Sequence, residues 1–352
     1  MVDTFGSLSV HDDYVLYSAE AKAPKKSADW AIREPKLGSD GLENFEYEPS
    51  LGEGFDGQNR PTLFLLKMQR HCDQDMRIVQ IGSGEFLESA ALFGQASFHP
   101  GGKKIVLVAH LPIVDGRRLG VAACTNRPSI VCEADIDHVE LERLWRLGKE
   151  DHFQTDKANV WNPKHWNRIS RLGFSARSPR YLNLQGTCAW LESEQGGAHR
   201  DCDALVCNDG KGQITVEIPI QDLPSPQNDW PGLFSDNLSD CCALRDGDTT
   251  ALVVTTIWGS RRTIVLYVLG TGGNPVEITP LRLSLGTRDK MEERQLWSYS
   301  LLCTNNKDTL VAVRSSPSQA QQILIGHITN DWNVEWSLAK DLFDEWEEDS
   351  GS

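Results

Sequence analysis

FGQASFHPGGKKIVLVAHLPIVDGRRLGVAACTNRPSIVCEAD, residues 93–135, contains the pattern from which the fold can be predicted. The turn sequence Phe98–Gly102 separates two apolar segments. The second of these, Ile105–Ala109, has the length and composition of a buried strand. Two further apolar runs, Leu119–Cys124 and Ser129–Cys132, flank the turn sequence TNRP. We therefore predict about four strands in about 40 residues, which is the size of one β-propeller blade.

The same arrangement of an apolar residue, a turn and a new apolar run recurs along the chain. The pattern F-G-x-x-S-φ-H, with φ apolar, occurs at Phe5–His11 and again at Phe93–His99. In four units the two apolar anchors lie seven positions apart, and a first unit has a shorter turn; the anchor pairs are Val10/Tyr14, Phe98/Ile105, Phe174/Tyr181, Leu244/Ala251 and Cys303/Leu310. We predict an all-β protein, a β-propeller with about five blade units of four-stranded antiparallel sheets.

The anchors are farther apart than a blade of about 40–50 residues requires, so long insertions must separate some strands. We predict a partial propeller over residues 1–340, with a long loop at 22–60 and an insertion at 138–168. Within the insertion, Val139–Leu147 fits an amphipathic helix about as well as a strand. The acidic tail 341–352 is expected to stay outside the fold.

Composition excludes several classes of function. The formal net charge of −15 argues against binding to nucleic acid or to anionic membranes, because both need concentrated Lys and Arg. No run of about 18 apolar residues is present, and no signal peptide is visible. The nine cysteines include no C-x-x-C pair and no Cys/His cluster suited to zinc. We expect reduced thiols, a cytoplasmic location, and no metal ion or cofactor.

The central stretch also resembles a known family. Leu119-Gly120 followed by Cys124–Ser129 is similar to the L-G-x-x-x-C-T-N-R-x-S segment of eukaryotic acylaminoacyl-peptidases, in the prolyl oligopeptidase group of serine hydrolases. Asp3–Gly6 and Leu16–Lys22 resemble the family's D-x-F-G … L-Y-x-A-E-x-K entry. Tyr47–Leu66 resembles its Y-E-x-x-x-G-E … P-x-L-x-x-L segment. The resemblance extends over about residues 3–340.

That family combines an N-terminal propeller with a C-terminal α/β-hydrolase domain, which carries a Ser-Asp-His triad with its serine on a G-x-S-x-G elbow. The sequences around Gly82–Gly84, Gly173–Ser175 and Gly259-Ser260 lack the elbow pattern. The resemblance therefore implies a propeller that is incomplete relative to the family's ring and lacks the catalytic domain. We expect no catalytic residue and no enzymatic activity in this chain alone.

Two functions remain open at this point. The resemblance implies a non-catalytic cap that gates substrates of a hydrolase removing N-acylated residues from short peptides, with the hydrolase domain as partner. The alternative is a free-standing propeller scaffold whose acidic surface selects basic protein partners. Unpaired sheet edges would also permit homo-oligomers. The candidate gating or interface residues are the family-motif positions Cys124, Thr125, Asn126 and Arg127, and Arg127 could instead bind carbonyls within the propeller.

Overall fold

The structure is almost entirely β. The computed structural model describes residues 6–20, 61–68, 77–84, 86–87, 92–112, 120–121, 124–147, 160–225, 229–279, 297–329 and 331–339. Over these ranges it contains 21 strands and one helix, and the strands form five sheets. These sheets are the blades of a β-propeller, which confirms the predicted fold class. The predicted loop 22–60 and tail 341–352 lie outside the described residues.

The chain divides into two compact units, Met1–Pro179 with Glu194–Arg200, and Arg180–Ser193 with Asp201–Ser352. The first two sheets lie in the first unit. Their elements are β1 (Leu8–His11), β2 (Tyr14–Glu20), β3 (Pro61–Lys67), β4 (Arg77–Ile81), β5 (Leu92–Phe98), β6 (Lys104–His110), β7 (Ser129–Asp135), α1 (His138–Leu147), β8 (Val160–Trp161) and β9 (Trp166–Arg168). The strand orders are β1-β2-β3-β4-β8 and β5-β6-β7-β9, and only β4–β8 is parallel.

The remaining three sheets have four strands each. Their elements are β10 (Phe174–Tyr181), β11 (Cys188–Glu194), β12 (Ala204–Asn208), β13 (Ile214–Ile218), β14 (Ala243–Asp246), β15 (Thr249–Trp258), β16 (Arg261–Val268), β17 (Val276–Glu277), β18 (Ser298–Thr304), β19 (Thr309–Ser316), β20 (Gln319–Ile328) and β21 (Val334–Leu338). Each sheet takes its strands in chain order. No helix within the described ranges is long and apolar enough to span a bilayer.

Both units are held by strands that are buried on both faces. In β6, every residue from Ile105 to Ala109 has no exposed surface. The core of the first unit also includes Leu63 and the fully buried Trp161. In the second unit the equivalent buried residues include Leu205 in β12 and the run Ala251–Val254 in β15. A continuous apolar run of this kind is expected for a strand packed between neighbouring layers, because neither face meets water.

The repeated F-G-x-x-S-φ-H segments come into contact with each other. The backbone N–H of Ala96 donates to Ser7 Oγ at 2.6 Å, and that of Phe98 donates to Ser9 Oγ at 3.1 Å. The repeat thus brings the first strands of the first and second sheets together. The small hydroxyl side chains satisfy backbone donors that the sheet ladder leaves unpaired at this position.

The predicted register holds in the hairpins with short turns. Phe98 pairs with Ile105 and Leu244 with Ala251, as predicted. In the first hairpin the strand after the turn begins at Tyr14, as predicted, and Val10 pairs with Val15. In the fifth, a bulge in β18 moves the pairing by one position, so that Leu310 pairs with Thr304 instead of Cys303.

The third unit differs from the prediction, because Phe174 and Tyr181 are the two ends of a single strand, β10, rather than the two sides of a hairpin. Pro179, which has turn composition, lies inside this strand. Proline is tolerated there because β10 is the edge strand of its sheet. The turn lies further along, between Tyr181 and Cys188, and it is closed by the Leu182 N–H donating to the Thr187 carbonyl at 2.7 Å.

Among its described residues, the central stretch supplies three strands, β5, β6 and β7. Gly120, Val121 and Cys124 carry no strand, and the other residues of the predicted run Leu119–Cys124 lie outside the described residues. The fourth strand of the second sheet is β9, which pairs with β7. The predicted insertion 138–168 therefore contributes strands to both sheets of the first unit, since β8 joins the first sheet.

The structure resolves the helix-or-strand ambiguity at 139–147 in favour of helix α1. Asp137 caps its N-terminus by accepting the Glu140 N–H at 3.0 Å. That hydrogen bond, together with the Lys164 ammonium, lowers the pKa of the Asp137 carboxyl below its usual value. Leu141 and Trp145 are buried on the core side of the helix. The apolar residues of this segment therefore form the buried face of a helix that packs on the core of the first unit.

Gly102 offers a test of the close packing at the second blade's turn. It has φ +67°, and a Cβ at this position would overlap His11 Nε2. Gly173 has φ +80° with no atom within 4 Å of its Cβ position, so it is a matched control. We expect both alanine variants to lose about 1–2 kcal/mol of unfolding free energy from backbone strain. Gly102→Ala should lose a further 1–3 kcal/mol, approximately, from overpacking.

Urea unfolding of the two variants measures these losses. In a His11→Ala background the extra loss at Gly102 should disappear, because the overlapping imidazole is gone. Equal losses for Gly102→Ala and Gly173→Ala would contradict the packing described here.

His99 makes the same turn sensitive to pH. Its Nδ1 accepts the Gly101 N–H at 2.9 Å, which requires a neutral ring. Burial lowers the pKa of His99, and the nearby Glu133 carboxylate opposes this in part. Because the folded-state pKa lies below the unfolded value of 6.5, the contribution to stability is present above about pH 6.5 and is lost as the pH falls below it. Urea unfolding at pH 7.5 and 5.5 should register this loss, and His99→Asn, which cannot titrate, should reduce it. An unchanged pH dependence in that variant would exclude His99 as the cause.

Candidate functional site

The four motif residues lie on one turn that enters strand β7. Cys124, Thr125, Asn126 and Arg127 are followed by Pro128, and β7 begins at Ser129. The turn is closed by its own hydrogen bonds. The Cys124 N–H donates to the Val121 carbonyl at 3.2 Å, and Arg127 Nε donates to the Gly120 carbonyl at 2.9 Å. Arg127 thus binds a carbonyl within the propeller, which is one of the two roles that the sequence left open.

A second turn, residues 195–200 after strand β11, packs against the first. Asn126 Nδ2 donates to the Gly197 carbonyl at 2.5 Å, and the Gly196 N–H donates to the Asn126 carbonyl at 2.9 Å. Cys124 Sγ lies 3.5 Å from His199 Nδ1. We call residues 124–127 and 195–200 the turn junction. Three contacts from two distant segments fix it, so its geometry does not depend on one side chain.

The junction is also attached to strand β10. Ser175 Oγ donates to the Arg127 carbonyl at 2.6 Å, and Ser129 Oγ donates to the Ala176 carbonyl at 2.9 Å. Both serines are buried. These reciprocal bonds tie the beginning of β7 to β10 at the position of the turn.

The Cys124 sulfur lies close to two nitrogen groups. His199 Nδ1 is 3.5 Å from the sulfur, and Arg127 Nη2 donates to it at 3.8 Å. The tautomer of His199 decides whether its Nδ1 donates or accepts. In the tautomer with the proton on Nε2, the thiol donates to Nδ1. The junction thus brings an imidazole and a guanidinium within hydrogen-bonding distance of the same thiol.

Asn126 occupies the interior of the junction. Its side chain is only 6% exposed, and its Nδ2 is used in the bond to Gly197. Its Oδ1 is buried and has no hydrogen-bond partner among the residues that the structure describes. A buried carbonyl oxygen without a partner is unfavourable, so this atom lowers the stability of the junction.

The sequence placed Cys124, Asn126 and Arg127 together correctly as one turn, but it missed His199. Only the Gly196-Gly197 pair signals a turn there, and no local pattern links it to a cysteine 75 positions earlier. Thr125 lies half-buried on the same turn. The gating or interface role of the four residues stays a prediction.

Three of the other described cysteines are deeply buried, and one described histidine has a role in a turn. Burial raises the pKa of Cys132 and of Cys242 to about 12, and it raises the pKa of Cys207 well above its usual value. His99 is a turn residue, as the repeat predicts. Within the described part of the chain, no three His, Cys, Asp or Glu side chains are grouped as a metal site.

The interior of the junction can be tested by removing the Asn126 amide. Asn126→Ala loses the bond to Gly197 and leaves that carbonyl without its donor, so we expect a loss of about 1–2 kcal/mol of unfolding free energy. The control is Asn167→Ala on strand β9, where the side chain is exposed and the change should stay within about 0.5 kcal/mol. Chemical denaturation measures both, and similar values for the two variants would mean that the amide does not hold the junction.

Comparison with known proteins gives one family. The family model described as the N-terminal domain of the acylamino-acid-releasing enzyme matches residues 39–342. No curated protein matches the chain. Among solved structures, the chain is similar to prolyl oligopeptidase B from Galerina marginata, with 11% identity, a TM-score of 0.48, and 96% of this chain and 35% of that chain covered.

A second similar structure is the β-propeller domain of the trilobed protease from Pyrococcus furiosus. It has 9% identity and a TM-score of 0.42, with 96% of this chain and 71% of that chain covered. A third is a prolyl endopeptidase with 11% identity and a TM-score of 0.41, with 79% of this chain and 32% of that chain covered. The chain therefore spans about a third of the length of the prolyl oligopeptidase and of the prolyl endopeptidase.

Proposed function

The chain belongs to the family of acylamino-acid-releasing enzyme N-terminal domains, and from this membership we propose that it is a propeller that gates substrates for an α/β-hydrolase catalytic domain. The observation that carries the proposal is the family match over residues 39–342. The proposed substrates are short peptides with an acylated N-terminus, from which the hydrolase removes the terminal acyl-amino acid. The propeller excludes larger chains and supplies no catalytic group.

The packing of the blades supports a role in selection by size. The central strands β6, β12 and β15 are buried on both faces, so a blade cannot shift without exposing apolar surface. Each Leu, Ile or Val side chain so exposed would cost about 1.5–3 kcal/mol. The proposed cap therefore admits chains by their cross-section. This mechanism needs no specific contact with the excluded polypeptide.

The proposal includes the organisation predicted from the sequence, with a propeller over residues 1–340. Its partner is the surface of the hydrolase domain. The turn junction, with Cys124 and Arg127, is proposed to contribute to the gating or interface surface. In this arrangement the propeller provides selectivity and the hydrolase domain provides catalysis. A loss of selectivity can therefore be measured while catalysis is retained.

A reconstitution experiment tests the cap. The purified chain is mixed with the isolated hydrolase domain of an acylamino-acid-releasing enzyme. Sedimentation measures the complex, and two substrates, a short acetyl-alanine peptide and a long unfolded acetylated polypeptide, measure selectivity. We expect the chain alone to cleave neither. In the mixture, cleavage of the long substrate should fall by about tenfold relative to the short one, which corresponds to about 1.4 kcal/mol of discrimination.

The matched control is the same chain after thermal unfolding, which should leave the ratio unchanged. Absence of a complex, or an unchanged ratio with a complex present, would contradict the cap and favour an independent scaffold. Cleavage of the acetyl-alanine substrate by the chain alone would contradict the assignment of catalysis to another domain.

A further inference from the structure

The thiol of Cys124 has a proton acceptor, His199, and a cation, Arg127, next to it. We propose that Cys124 is a site of covalent modification, oxidised by hydroperoxides, with His199 accepting the thiol proton and Arg127 holding the developing negative charge. The proposal stands on the geometry of the turn junction and is independent of the cap function.

The Cys124 sulfur lies within reach of two nitrogen groups. Cys124 Sγ is 3.5 Å from His199 Nδ1 and 3.8 Å from Arg127 Nη2. The two nitrogen groups come from different turns, and Arg127 is held in place by its bond to the Gly120 carbonyl. Cys124 is half-buried and His199 is exposed, so a small reagent can reach the sulfur. Partial exposure next to a cation and a proton acceptor is the environment in which a cysteine is reactive.

A second contact holds the two turns of the junction together. Asn126 bridges the same two turns as Cys124 does, through its bond to Gly197. His199 is therefore kept next to the Cys124 sulfur, with its Nδ1 at 3.5 Å.

The reaction is a two-electron transfer. The Cys124 thiol gives its proton to His199 Nδ1, and the sulfur attacks the outer oxygen of the hydroperoxide ROOH. The S–O bond forms as the O–O bond breaks, so the sulfur is oxidised and the peroxide is reduced. The leaving RO⁻ takes the proton from the imidazolium, which gives Cys–SOH and ROH. Arg127 stabilises the thiolate and the departing anion through its charge.

The chain contains its own control for exposure. Cys303 on β18 is exposed, whereas Cys124 is half-buried and so is less accessible to solvent. None of the described residues forms a hydrogen bond or an ion pair with the Cys303 thiol. If exposure alone determined reactivity, Cys303 would react faster than Cys124. The junction predicts the opposite order.

The experiment uses the full chain with hydrogen peroxide and a sulfenic-acid-trapping dione, followed by peptide mass spectrometry at each cysteine. We expect trapping at Cys124 to be about tenfold faster than at Cys303. His199→Gln should lower the rate at Cys124 by about tenfold and leave Cys303 unchanged, because the proton acceptor is removed. The control His165→Gln, at another exposed histidine, should change neither rate.

The wild-type comparison alone can overturn the proposal, whatever the folding of the variants. Trapping at Cys303 that is as fast as at Cys124 would exclude a specific site. A rate at Cys124 that is unchanged in His199→Gln, measured on variant protein with the wild-type circular dichroism spectrum, would exclude the histidine as proton acceptor.

Discussion

Burial of the central strands on both faces is the constraint on which the rest of this structure depends. Ile105–Ala109 in β6 and Ala251–Val254 in β15 meet no solvent on either side. A sheet of this kind cannot be stable alone, because each of its faces needs a neighbouring layer to cover it. The first strands of adjacent sheets must therefore lie close to each other. Where β1 and β5 meet, Ser7 and Ser9 satisfy the backbone donors that this approach leaves over.

This constraint also explains which parts of the fold could be predicted from the sequence. A strand buried on both faces appears as a continuous apolar run, and a short hairpin places its turn next to that run. Both signals are local, so the hairpins at Phe98/Ile105 and Leu244/Ala251 could be placed to the residue. Strand β9 could not, because it pairs with β7 only after a helix and a long connection intervene. Pro179 was misleading because its effect depends on β10 being an edge strand, which is a property of the assembled sheet.

The candidate site follows the same division between local and distant information. The turn Cys124–Arg127 is contiguous, so its sequence is sufficient to single it out. His199 lies at the tip of another hairpin, and its sequence there carries turn composition but no chemical signature. Only the packing of one turn against the other brings its ring to the sulfur. The contact between Cys124 and His199 therefore depends on how the blades that carry the two turns are aligned with each other.

The turn junction is coupled to the propeller framework through backbone groups. The Arg127 carbonyl accepts from Ser175, while the Arg127 side chain holds Gly120 and approaches the Cys124 sulfur. A change in charge or size at the sulfur therefore acts on a residue whose backbone holds β10. Because Ser129 donates back to the Ala176 carbonyl, the start of β7 and the start of β10 must move together or lose both buried bonds. Rigidity would make a propeller an effective size filter. The same rigidity would transmit a change at the Cys124 sulfur to the neighbouring strand β10.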